Sequence, residues 1–146
     1  MRHRCTVHVW SGFGSIGWGS LFALLMLAGC AGKPALSPED QVRARANDYW
    51  AGLIAADYDK AYGFLAPGFR VRVPAEAYGK RFAEKITFHE AVINKIVCET
   101  EVCNLEVDTK QTIHAIPPFN FDLEQAGSWK QKWIHTDDGW WLLPKK

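Results

Sequence analysis

At Ile86 the hydrophobic period of this chain changes, and that change restricts the fold more than any other feature. Before it, Val42, Ala46, Tyr49, Trp50, Leu53 and Ile54 recur at i, i+4, i+7 and i+8, the spacing of one buried helical stripe. After it, β-branched and aromatic residues alternate with polar ones, the period of a strand. The chain therefore reads as helices first and strands second, an α+β order.

Ser37-Pro38-Glu39-Asp40 starts the first helix, with Ser as N-cap, Pro at the first helical position and acids facing the positive end of the dipole. This helix runs to about Ala56. A second, from about Asp57 to Leu65, is ended by Pro67-Gly68, and a third begins near Pro74 with Tyr78 and Phe82 four residues apart. Four strands follow, at about Ile86 to Cys98, Val102 to Ile116, Ser128 to Thr136 and Trp140 to Leu143. Asp138-Gly139 is the dipeptide of a type I′ hairpin turn, and Pro117-Pro118 breaks the second strand.

The first 29 residues stand apart from this pattern. Arg2 and Arg4 precede a run from Ile16 to Leu27 that is almost wholly apolar or small, the charged head and apolar middle of a secretory signal. The run is shorter than the roughly 20 apolar residues a membrane-spanning helix needs. Leu27-Ala28-Gly29-Cys30 closes it and resembles the bacterial lipobox, which implies cleavage before Cys30 and acylation of its thiol. An ordinary cut after Ala28 or Gly29 is the alternative. Lipoproteins of this type carry two or three acyl chains, and each buried methylene adds about 0.8 kcal/mol, so anchoring would be durable. Ala31 follows the cysteine; the outer membrane, facing the periplasm, is the expected address if the cell has two membranes.

The expected organisation is a signal peptide over 1–29, a lipidated tether over 30–36 and one domain over 37–146. The tether spans at most about 3.5 Å per residue, which keeps the domain near the membrane. The whole chain has 17 basic and 16 acidic residues, and loss of Arg2 and Arg4 leaves 15 against 16. Without a basic excess, nucleic acid is not expected as a partner. The implied partners are the membrane, through the lipid on Cys30, and an envelope protein or a small apolar ligand. No cofactor is implied.

With Cys5 removed and Cys30 acylated, Cys98 and Cys103 remain as a pair in an oxidising compartment, and a disulfide is expected. Zinc would need two further ligands, whereas His89, His114 and His135 read as scattered strand residues, so no metal is expected. If the two cysteines face each other across a hairpin, Ile96 faces Leu105, Asn94 faces Val107, Val92 faces Thr109, Glu90 faces Gln111 and Phe88 faces Ile113. Lys95 and Glu106 then pair on the outer face. A β-bulge would shift part of this register.

Ala44-Arg45-Ala46-Asn47-Asp48-Tyr49-Trp50, the turn Asp57-Tyr58-Asp59-Lys60-Ala61-Tyr62, and Trp133 with Gly139-Trp140-Trp141-Leu142-Leu143 resemble the nuclear transport factor 2-like (cystatin-like) superfamily. The resemblance implies a curved antiparallel sheet of about four strands wrapped as a cone around the first of three helices. The inner sheet face would line the cone, and there the register places Glu90 and Gln111 among apolar neighbours. A buried carboxylate needs a partner or a wet cavity. Glu90, Gln111, Asn94 and Tyr62 are thus the candidate pocket, with a position at the rim as the alternative.

Ketosteroid isomerase and the SnoaL-like cyclases of this superfamily pair a pocket Asp with a Tyr or a second acid. Here Tyr49, Tyr58, Tyr62 and Tyr78 supply phenols and Glu90 a carboxylate, but no catalytic motif of those enzymes is repeated, and no catalytic residue is assigned. The leading expectation is a non-enzymatic envelope module for binding or assembly. A pocket enzyme or carrier with Glu90 as candidate acid/base is the alternative. Trp140 and Trp141 are consecutive and must point to opposite faces of one strand, which offers one of them as a surface anchor.

Overall fold

The computed structural model describes residues 36–115, 118 and 120–145. The expected signal peptide over 1–29 and the expected lipidation site at Cys30 lie outside the described residues. Among the described residues no helix is long and apolar enough to cross a membrane.

Among the described residues four helices precede the sheet: α1 (Pro38–Ile54), α2 (Tyr58–Tyr62), α3 (Pro67–Arg70) and α4 (Ala75–Gly79). The Ser37 hydroxyl accepts from the Asp40 amide at 3.1 Å and caps α1 as its sequence requires. Asp57 caps α2 through the Lys60 amide at 3.0 Å. The expectation of three helices needs correction, because Pro67 opens a helical turn rather than only ending one. Proline lacks an amide hydrogen that the first turn would leave unpaired, so it starts α3 without cost. Between α1 and α2 the chain turns at Ala56, which holds a left-handed φ of 55°. At Gly52 a Cβ would stand 3.1 Å from the Ala61 amide nitrogen, a crowding that glycine avoids where α2 closes on α1.

The strands β1 (Ile86–Glu99), β2 (Val102–Ile113), β3 (Leu123–Thr136) and β4 (Gly139–Leu143) form one antiparallel sheet in the order β1-β2-β3-β4. β3 starts five residues earlier than its pattern suggests, because pairing with β2 continues unbroken from Val102↔Ile134 to Ile113↔Leu123. The last hairpin also differs from expectation. Thr136 pairs with Gly139, so the loop residues are Asp137 and Asp138. The positive φ falls on Gly139, at 119°, and on neither aspartate, which rules out a type I′ turn.

α1 packs across one face of the sheet and contacts β1, β2 and β4. Its stripe of Val42, Ala46, Tyr49, Trp50 and Leu53 is buried against Phe88, Leu105, Val107, Trp133 and Leu142. The segment after α2 borders the free edge of β4. Leu65 bridges Leu142 in parallel, with Ala66 donating to the Leu142 carbonyl at 2.8 Å and Leu142 to that of Phe64 at 2.9 Å. The expected α+β class holds, with helices first and one four-stranded antiparallel sheet after them.

Candidate functional site

The expected disulfide is formed: Cys98 and Cys103 are bonded across the β1–β2 hairpin, and Cys103 is buried in the core. From there the predicted register holds through Ile96↔Leu105 and Lys95↔Glu106. It then shifts twice, between Ile93 and Lys95 and between Phe88 and Glu90. Each bulge adds one residue to β1 and reverses which side chains face inward. Ile93 therefore faces Val107, Ala91 faces Thr109 and Phe88 faces Gln111.

The candidate pocket must be corrected accordingly, because its four residues do not converge. Glu90 pairs with Lys110 instead of Gln111 and forms an ion pair with it on the outer face, where its side chain is 47% exposed. Asn94 is exposed at the second bulge and donates its side-chain amide to the Asp108 carboxylate. Tyr62 donates its hydroxyl to the carbonyls of Arg70, at 3.0 Å, and Val73, at 2.7 Å, so it ties down the chain around α3. Only Gln111 lies inside, at 5% exposure.

Gln111 is occupied by neighbours that register reasoning missed. Its Oε1 accepts from the Trp129 indole and the Thr109 hydroxyl, both at 3.2 Å. Gly127 permits this, since a Cβ there would come within 2.9 Å of Thr109 Oγ1 and 3.2 Å of Gln111 Oε1. Aromatic rings fill the space beside the amide: Trp50 meets Phe88 at 5.3 Å and Trp129 at 6.1 Å between centroids, and Phe82 meets Phe88 at 5.9 Å. The Trp50 indole nitrogen is buried in this cluster without a hydrogen-bond partner.

Deeper in, the hydroxyls of Tyr49 and Tyr78 share a hydrogen bond of 2.8 Å. Burial pushes Tyr78 up to about 12, and it raises Tyr49 well above the ordinary phenol range, an effect reinforced by Tyr78. Both phenols are therefore protonated at neutral pH and serve as packed hydrogen-bonding groups. Their position within the core keeps them away from any substrate at the surface.

Outside the cone, β4 separates its two tryptophans as expected: Trp140 is buried and Trp141 half-buried on the opposite face. Two guanidinium groups rest on Trp141, with Arg45 Cζ 5.0 Å and Arg70 Cζ 5.2 Å from the ring centroid. These arginines lie 25 residues apart in sequence and meet only because Leu65 bridges Leu142, a juxtaposition no local pattern announces. A shallow surface depression of about 320 Å³ lies elsewhere, between α2 and α4, lined by Asp57, Tyr58, Glu76 and Lys80 among others. Among the described residues no group of three or more His, Cys, Asp or Glu side chains could hold a metal ion.

The sequence matches no protein-family model and no curated protein. Solved structures match its fold. A candidate dehydratase of the nuclear transport factor 2-like family from Streptomyces avermitilis superposes with a TM-score of 0.53 at 12% identity, over 74% of this chain and 96% of that one. A nuclear transport factor 2-like superfamily protein from Salmonella enterica gives 0.50 at 14% identity, over 72% and 85%. A candidate polyketide cyclase from Xanthomonas campestris gives 0.50 at 11%, over 75% and 93%. At these identities the likeness is one of fold.

Proposed function

We propose that this protein is a membrane-anchored envelope lipoprotein whose domain is a non-enzymatic binding or accessory module that meets its partner through its surface. One observation carries the binding half of this reading. The interior that would have to admit a substrate is filled by Trp50, Phe88, Trp129 and their neighbours, and its one buried amide, Gln111, is engaged by Trp129 and Thr109. The anchoring half rests on the Leu27-Ala28-Gly29-Cys30 motif behind a basic, then apolar, start. Intact-mass analysis of protein purified from membranes should find a mature chain that begins at Cys30 with acyl mass on it. An unmodified start would contradict the proposal.

The pocket enzyme or carrier remains a second reading, favoured by the unpartnered Trp50 indole nitrogen beside the Gln111 network. A candidate dehydratase and a candidate cyclase among the solved neighbours share its fold. It would have to proceed without Glu90, whose carboxylate faces outward against Lys110.

A further inference from the structure

Arg45 on α1, Arg70 on α3 and Trp141 on β4 form a cluster that the proposed function does not yet use. Arg45 also stands over Phe64, 5.2 Å from its centroid, so two rings and two cations are assembled at the β4 edge. Each cation is attracted by the ring face, and an anion placed between the two guanidinium groups would offset their mutual repulsion. Among the described residues the ion-paired acids go to Lys80, Lys110, Lys130 and His114, and neither arginine has a carboxylate partner. Asp48, one turn along α1, acts on Arg45 only through space. The Nε of each arginine is buried without an acceptor.

The cluster is also held in place before anything binds. The Trp141 indole donates to Thr136 Oγ1 at 3.0 Å, which fixes the ring. Tyr62 grips the Arg70 carbonyl at 3.0 Å, and Arg45 rides on the longest helix. Such preorganisation lowers the ordering cost of binding. Guanidinium groups match carboxylates with two parallel hydrogen bonds, and arginine and tryptophan are both enriched among the residues that dominate binding energy at interfaces. A phospholipid surface is a poorer fit, since membrane adsorption draws on runs of four or more cations and the mature chain, from Cys30, has 15 basic residues against 16 acidic.

We infer that Arg45, Trp141 and Arg70 form a carboxylate clamp that docks an acidic segment of a partner protein. The clamp rests on the surface-binding reading and gives it a place and a partner chemistry. Tyr62 is a positioning residue within it, because it holds Arg70 and reaches no ligand itself.

The test titrates the full chain, purified in neutral detergent, with an acetylated and amidated tetraglutamate peptide. It follows the Nε–H signals of Arg45 and Arg70 and the indole N–H signals of the tryptophans by NMR. The clamp predicts saturable shifts at Arg45, Arg70 and Trp141 that disappear with tetraglutamine and weaken with salt. Arg70→Gln should reduce affinity at least about fivefold, and Arg45→Lys, which keeps charge and stem but loses the planar fork, should do the same. Glu106→Gln should leave it unchanged.

No shift with tetraglutamate, equal shifts with tetraglutamine, or an unweakened Arg45→Lys would overturn the clamp. So would a response confined to phosphatidylglycerol vesicles. If Trp50 and Trp129 shifted instead, the peptide would be entering the cone, and the surface-binding reading itself would fail.

Discussion

On the outer face of the sheet, charge meets charge: Glu90 pairs with Lys110, Glu106 with Lys130 at 3.8 Å, and Asn94 covers Asp108. At the edge of β4, Arg45 and Arg70 rest on aromatic rings without a carboxylate ion-pair partner, and Asp48 reaches Arg45 only through space. The first arrangement is self-contained, and removing any one member leaves its partner in water at little cost. The second is complete only with something added. Polar groups therefore separate into those that hold the sheet together and those available for recognition. Exposure alone would point the other way, since Glu90 is exposed and Arg45 half-buried.

The largest expected effect belongs to the interior, at the buried tyrosine pair. Tyr78 titrates near 10 when unfolded and near 12 when folded, so the unfolded chain releases its proton first. Stability is thus fully present below pH 10 and falls as pH rises towards 12, by about 3 kcal/mol for this group at 1.36 kcal/mol per pH unit. Tyr49 adds to the loss with the same sign. Urea unfolding across this range should show the fall, and Tyr78→Phe should flatten it.

Next comes the disulfide, at the opposite end of β2 from Gln111. Closing so short a loop contributes about 2 kcal/mol in the chain-entropy model. Reduction should lower the unfolding midpoint while leaving the domain folded; free alkylation of both thiols in unreduced protein would show that the bond does not form in the cell.

At the β4 edge, Tyr62→Phe should cost about 1 to 2 kcal/mol, because the carbonyls of Arg70 and Val73 lose their donor. Its sharper signature is faster motion of the Arg70 Nε–H, measured by relaxation, with no change at Lys110. The smallest effect belongs to the outer face: Glu90→Gln should change stability by less than about 0.5 kcal/mol, as for other exposed ion pairs. A loss of several kcal/mol there would erase the contrast between the two regions.

Much of this was legible in the sequence. The Ser37 cap, the stripe on α1, the disulfide and the start of the β1–β2 register follow from local chemistry. The error at Glu90 came from carrying a uniform alternation along all of β1. The signal against it was present, since His89-Glu90 and Asn94-Lys95 are adjacent polar residues that break a period of two, and these are the places where the register shifts. The early start of β3 was illegible because Leu123 to Gly127 has no strand pattern of its own and is drawn into the sheet by β2. The arginine cluster depends on the parallel bridge from Leu65 to Leu142, a tertiary event with no local trace.

The central claim is that the cone is filled and that recognition belongs to the surface. Naphthalene, an uncharged planar probe, tests it when titrated into the full chain while the indole N–H signals of Trp50 and Trp129 are followed. Any ligand entering the cone would meet Trp50, whose N–H lacks an acceptor, and would displace rings packed against it. With the cone filled, no saturable shift is expected at either indole. Saturable, coincident shifts of Trp50 and Trp129 would reveal a binding cavity and contradict it.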